Sequence, residues 1–113
     1  MQAVILAGGL GARLRPLTDK IPKTMVQVHG RPFLEYEVEL LKSRGVDELV
    51  LCVGYLGEQI ERHFGEGRWF GVRIRYSYDG ETPLGPIGAL KKAEAMLEDK
   101  FFVTYGDAYR RLD

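Results

Sequence analysis

The sequence predicts an α/β fold, a Rossmann-like, doubly wound and mainly parallel sheet with strand order 3-2-1-4, on three observations. Short runs rich in Val, Ile and aromatic residues recur along the chain. Patterns with helical spacing separate them, and Gly or Pro marks most of the changes from one period to the other. Strand and helix in repeated alternation imply parallel strands joined by right-handed crossovers. With 113 residues, 45% of them apolar and 28% charged, the chain suits one small globular core and not a disordered segment.

In chain order, residues 2 to 7 read as the first strand, a short run rich in Val and Ile that Gly8 ends. Met25-Val26-Gln27-Val28, followed by His29-Gly30-Arg31, reads as an extra edge strand and turn. Pro32 suits a first helical position, and Phe33, Leu34, Val38 and Leu41 form an apolar stripe that Gly45 ends. Residues 48 to 53 read as the second strand, with Cys52 as a small buried apolar residue. Residues 56 to 64 form a short helix with Leu56, Ile60 and Phe64 on one face. Residues 72 to 78 read as the third strand, residues 86 to 98 as a third helix with Ile87, Leu90, Ala93 and Leu97 inward, and residues 100 to 105 as the fourth strand.

Zero net charge excludes a global field that would draw the chain to nucleic acid or to an anionic membrane. The apolar run at the start is far shorter than the ~20 residues that cross a bilayer. A cytoplasmic protein with no membrane and no nucleic-acid partner is expected. His29 and His63 have no ligand-spaced Cys or His partners, and Trp69, Phe70, Tyr76 and Tyr78 are expected in sheet and loop packing.

In a 3-2-1-4 sheet, ligands bind at the strands' carboxyl ends where the order reverses, between the first and fourth strands. The segments leaving those ends are Gly8-Gly9-Leu10-Gly11-Ala12-Arg13 and Gly106-Asp107. Three glycines in four positions let main-chain amides approach an anion, and Arg13, Arg15, Lys20 and Lys23 follow against one acid, Asp19. A tight turn with a solvated basic face is the plain alternative. A dinucleotide fingerprint from Gly9 fails because position 14 is Leu14, and no Gly-Lys-Ser/Thr triplet supports a Walker loop.

The run Leu6-Ala7-Gly8-Gly9-Leu10-Gly11-Ala12-Arg13-Leu14-Arg15-Pro16-Leu17-Thr18 with Pro22-Lys23 resembles the signature of the sugar-1-phosphate nucleotidyltransferases. The resemblance continues through Arg31-Pro32-Phe33-Leu34-Glu35-Tyr36, Val53-Gly54-Tyr55 and Pro83-Leu84-Gly85 to Tyr105-Gly106-Asp107. It makes residues 1–113 a partial nucleotidyltransferase domain, the nucleotide-binding half, without the family's sugar-binding half and its second metal-binding aspartate.

What the resemblance implies is condensation of a nucleoside triphosphate with a sugar 1-phosphate, giving a nucleotide sugar and pyrophosphate. Arg13 and Lys23 match the catalytic cations, and Leu6, Ala7, Gly8, Gly9, Gly11, Ala12 and Arg13 match the nucleotide-binding loop. Gly85 and Gly88 match a base-holding segment in which Pro86 and Ile87 replace the usual Thr and Ala. Helix initiation at Pro86 is the alternative there. Asp107 matches an aspartate that holds Mg2+, the alternative being a turn after a strand. The similarity around Phe33 leans towards GTP with a mannose-like hexose or heptose phosphate. A non-catalytic nucleotide-binding module is the competing expectation. The fourth strand is expected to be an open edge that pairs with another copy or segment.

Overall fold

The computed structural model describes residues 1–8, 23–54, 56–79 and 85–105, Lys23 and Tyr105 by their main chain alone. Its sheet has four parallel strands, β1 (Gln2–Ala7), β4 (Glu48–Val53), β5 (Arg73–Tyr78) and β6 (Phe102–Tyr105), in the order β5-β4-β1-β6. In sequence terms this is the expected 3-2-1-4. All six residues of β1 are buried, as its unbroken apolar run requires, because β4 and β6 flank it and both faces are covered.

Period-two alternation divides the core. Ala3, Ile5, Ala7, Leu49, Leu51 and Val53 face α1 (Phe33–Ser43) and α2 (Gly57–Phe64), which contribute Leu34, Val38, Ile60 and Phe64. Val4, Leu6, Val50 and Cys52 face α3 (Gly85–Lys92), whose neighbourhood supplies Ala89 and Ala93. Two helices therefore cover one face and one short helix the other, the asymmetry expected of right-handed crossovers in this strand order.

Several expectations need correction. Residues 27–28 and 31–32 form β2 and β3, a separate antiparallel ribbon and not an edge of the main sheet. His29 (φ 52) and Gly30 (φ 78) make its turn. Pro32 (φ −57, ψ 138) is the cap before α1 and not its first residue. At the other end Gly45 takes φ 95 while Val46 N–H reaches Leu41 O, closing the helix as a left-handed cap should.

The third helix stops at Lys92 and continues only as a 3-10 turn at Glu94–Met96. Ala89 and Ala93, four residues apart, carry its contact with the sheet, which turns Ile87 outward at 83% exposure. Trp69 is likewise not packed and stands 96% exposed. It belongs to a three-residue 3-10 turn, Arg68–Phe70, between Gly67 and Gly71, and with side chains roughly 120° apart the inward turn of Phe70 sends Trp69 out.

Strand β6 is an edge among the described residues, and Phe102 is 57% exposed although its register partner Ala3 is fully buried. At the amino end of the sheet Gln2 ties three segments together. Its side chain donates to Glu48 Oε1 (2.8 Å) and Met96 O (2.9 Å) and accepts from Glu98 N–H (2.8 Å).

Candidate functional site

Register brings the strand ends into line. Ala7 pairs with Val53, Val53 with Tyr78, and Leu6 with Tyr105, so the chain leaves β1, β4 and β5 at Gly8, Gly54 and Asp79 side by side. Asp79 N–H donates to Val53 O at 2.8 Å and extends the β4–β5 ladder by one step.

The Asp79 carboxylate is packed against the start of the glycine-rich segment. A methyl group on Gly8 would lie 2.2 Å from Asp79 Oδ2, and one on Gly54 would lie 3.0 Å from Gly8 O and 3.5 Å from Asp79 Oδ2. A Cβ at the first distance is not seen in real structures, so any larger residue at position 8 would have to displace the Asp79 carboxylate. Asp79 itself is only 8% exposed.

Beyond Gly54 the backbone turns sharply into α2. Gly57 N–H donates to Gly54 O at 2.8 Å, and Leu56 adopts φ 56, a left-handed conformation that costs a non-glycine residue about 1–2 kcal/mol. Gly57 lies so close to β4 that a methyl group there would meet Val53 Cγ2 at 2.8 Å. The result is a helix start drawn tightly against the strand ends.

On the opposite face Cys52 Sγ lies 3.8 Å from Ala89 O, which sets α3 beside the last residues of β4 and, through the Cys52–Leu6 register, of β1. Burial, then the negative charge of Asp79, pushes the Cys52 thiol up to about 11, so it remains protonated and is no nucleophile at neutral pH.

Of the residues singled out in the sequence, Leu6, Ala7 and Gly8 stand at this edge, the first two buried. Gly85 (φ 73) is exposed with open space where a side chain would be, and Gly88 is half-buried in the first turn of α3. Lys23 opens a 3-10 turn, Lys23–Met25, whose Met25 packs on the α1–α2 side of the core. Gly9, Gly11, Ala12, Arg13 and Asp107 lie outside the described residues. Strand β6 ends opposite Leu6, two residues before Asp107 in the chain. No group of three metal-ligating side chains is gathered among the described residues.

Asp79 was missed by sequence reasoning. Its signal was the one used for Asp107, an acid directly after a strand, but Tyr78-Asp79-Gly80 also reads as an ordinary turn start.

Residues 2–113 match the nucleotidyl transferase family model. The chain belongs to that family. It is similar to the D-glycero-alpha-D-manno-heptose 1-phosphate guanylyltransferase of Campylobacter jejuni, at 40% identity over all of this chain and 50% of that protein. It is also 40% identical to the UTP–glucose-1-phosphate uridylyltransferase of Synechocystis, over all of this chain and 32% of the relative. Among solved structures, HddC of Yersinia pseudotuberculosis complexed with GMP-PN superimposes with a TM-score of 0.81 at 36% identity, covering 94% of this chain and 47% of that one. The chain thus spans half or less of the length of these nucleotidyl transferase relatives. Among the described residues no helix is long and apolar enough to cross a membrane.

Proposed function

We propose that this chain is the nucleotide-binding part of a sugar-1-phosphate nucleotidyltransferase that takes GTP and a mannose-like hexose or heptose 1-phosphate. The observation that carries the reading is the row Gly8, Gly54 and Asp79 at the strand ends, at the head of a basic glycine-rich segment. A carboxylate beside Gly8 repels phosphate and attracts N–H donors, which supports a base end of the site on the Asp79 side. Guanine offers two adjacent donors on its pairing edge, N1–H and the N2 amino group, that one carboxylate can accept together. Uracil offers one.

The phosphates then belong further along the segment. The amides of Gly9, Gly11 and Ala12, with Arg13 and Lys23, meet the triphosphate, and Gly85 and Gly88 leave room for the base. An oxygen of the sugar phosphate attacks the α-phosphorus of GTP, the bond from α-phosphorus to the bridging oxygen breaks, and pyrophosphate leaves. Arg13 and Lys23 hold the reactants in line and offset the charge passing to the leaving group. Asp107 would hold Mg2+, a fit for a single carboxylate because that ion takes one or two plus phosphate oxygens and water. When bound, Mg2+ supplies further charge neutralisation on the phosphates.

A cytoplasmic location accompanies this reading, since nucleoside triphosphates are its substrates. The exposed β6 edge is where we place pairing with a second copy or another segment.

Pyrophosphate release with GTP, UTP, CTP and dTTP against mannose, heptose and glucose 1-phosphates tests the proposal, alongside direct binding of each triphosphate. GTP with a manno-configured phosphate is expected to turn over fastest. Preference for UTP breaks the base assignment, and triphosphate binding without turnover in any pair assigns the chain as a binding module.

A further inference from the structure

Trp69, the one tryptophan of the chain, stands almost wholly in solvent and has no ring or cation partner among the described residues. The turn that carries it is not free to roll. Phe70 N–H donates to Gly67 O at 3.0 Å, Val72 N–H to the same carbonyl at 3.2 Å, and Gly71 N–H to Arg68 O at 3.2 Å. A side chain at Gly67 would meet Ile74 Cγ1 at 2.8 Å, so the turn lies hard against β5. Phe70 packs with its ring centroid 4.9 Å from that of Phe64, and burying Trp69 would lift it out.

Beside the indole an open cleft of about 430 Å³ is lined by Glu39, Lys42, Ser43, Trp69 and Phe70. The Lys42 ammonium occupies the space a side chain at Gly71 would fill, 2.1 Å from where its Cβ would stand. Among the described residues Lys42 has no acid partner, whereas Glu39 is held by Arg31 at 2.6 Å. The cleft sits between the end of α1 and the start of β5, roughly 20 Å of strand away from Gly8, Gly54 and Asp79.

An aromatic face open to stacking, beside an ammonium that lacks a counter-charge, suits a planar anion. The volume falls within the roughly 300–1,000 Å³ of small-ligand sites. A protein partner would cover about 800 Å² of this surface, and the turn flanks the indole with exposed Glu66 and Arg68 in place of further apolar area. We infer that this cleft is a second nucleotide site, in which a nucleobase stacks on Trp69 and a phosphate oxygen accepts from the Lys42 ammonium. A free triphosphate and a nucleotide sugar share that chemistry.

Trp69 emission reads its own occupancy. It is followed during titration with GTP, GDP-mannose, guanosine and tripolyphosphate, in the parent, in Lys42→Ala and in the double variant Gly8→Ala/Asp79→Ala, whose changes lie at the strand ends. Saturable quenching by GTP, GDP-mannose or both is expected, and the tighter of the two names the source. Guanosine with the parent, and either nucleotide with Lys42→Ala, should bind about tenfold more weakly. Tripolyphosphate should not quench, and the double variant should respond as the parent does.

Emission that stays constant, or falls without saturating, up to about 1 mM ligand overturns the site. So does quenching lost in the double variant, which puts the ligand at the strand ends, and so does guanosine or Lys42→Ala binding as tightly as GTP and the parent. Emission that shifts with protein concentration alone seats a second copy on the indole and overturns it equally. The readout is Trp69 and not turnover, so its failure leaves the proposed function standing, and absent pyrophosphate release leaves this site standing.

Discussion

The two ends of the sheet handle charge in opposite ways. At the amino end the Met1 ammonium meets Asp47 at 2.8 Å, Glu48 receives Gln2 and Arg73, and Gln2 also holds Met96 and Glu98. Opposite charges and amides there answer one another across chain neighbours far apart in sequence. At the carboxyl end an acid, Asp79, is instead shut against glycine main chain at Gly8 and Gly54. A buried carboxylate packed this closely on glycine main chain limits what can be substituted at Gly8 and Gly54. The amino end is tied by side-chain pairs between distant segments, and the carboxyl end by close main-chain packing.

The comparison is easiest to break at Gly8. Gly8→Ala places a methyl group 2.2 Å from Asp79 Oδ2, and is expected to destabilise the protein by about 1–3 kcal/mol and to weaken GTP binding at least tenfold. Denaturant unfolding and titration calorimetry measure the two effects. Adding Asp79→Ala should restore most of the stability but none of the binding; a double variant no more stable than Gly8→Ala would show that Asp79 is not what the methyl group meets.

Asp79→Asn comes next. Losing the charge should weaken GTP by about 1.5–3 kcal/mol and narrow the gap between GTP and UTP. Equal losses for both nucleotides would remove Asp79 from base recognition.

Gln2→Ala sharpens the contrast from the other side. It removes three hydrogen bonds at a site far from the strand ends' glycines and should cost about 1–2 kcal/mol in unfolding with GTP affinity untouched.

Acidification is the smallest effect. Glu35 on α1 accepts from Arg31 at 2.9 Å and pairs with His63 on α2 at 2.5 Å. Burial would raise its carboxyl, yet hydrogen bonds from His63 and then Arg31 outweigh it and hold the group below the usual 4.5. A depressed folded value means the contribution is complete above the unfolded pKa and is lost as pH falls through the lower folded one. The parent should therefore lose up to about 1 kcal/mol on acidification relative to Glu35→Gln, read as melting temperature against pH. Parallel profiles would show that the pair contributes nothing.

Much of the fold was legible because β1 and β4 are unbroken apolar runs with a single reading, and Gly45 and Gly65 stop their helices where glycine can take positive φ. The strand order was taken from the common nucleotide-binding half, and the sheet has it. The third helix was overextended because Leu97 continues the apolar spacing and packs on the same cluster as Leu90 and Ala93, but from beyond a 3-10 turn at Glu94–Met96 and not from the α-helix. Trp69 was misplaced because composition counts an indole as buried and cannot see which way a three-residue turn points it. In the site, Gly8 was legible for its freedom but not for its neighbour. Asp79 reaches Gly8 across β4 only when two strand registers are both known, and no local pattern encodes that.

Cys52 is the single thiol of the chain, buried at 1% exposure under Ala89 with its proton held to about 11. Such a sulfur reacts with an alkylating reagent only in molecules whose α3 layer has lifted, so the rate of labelling at fixed pH is a clock for that opening. The clock needs no introduced probe. A ligand held between the strand ends and α3 should slow it in proportion to occupancy, giving a chemical measure of binding on the less covered face of the sheet.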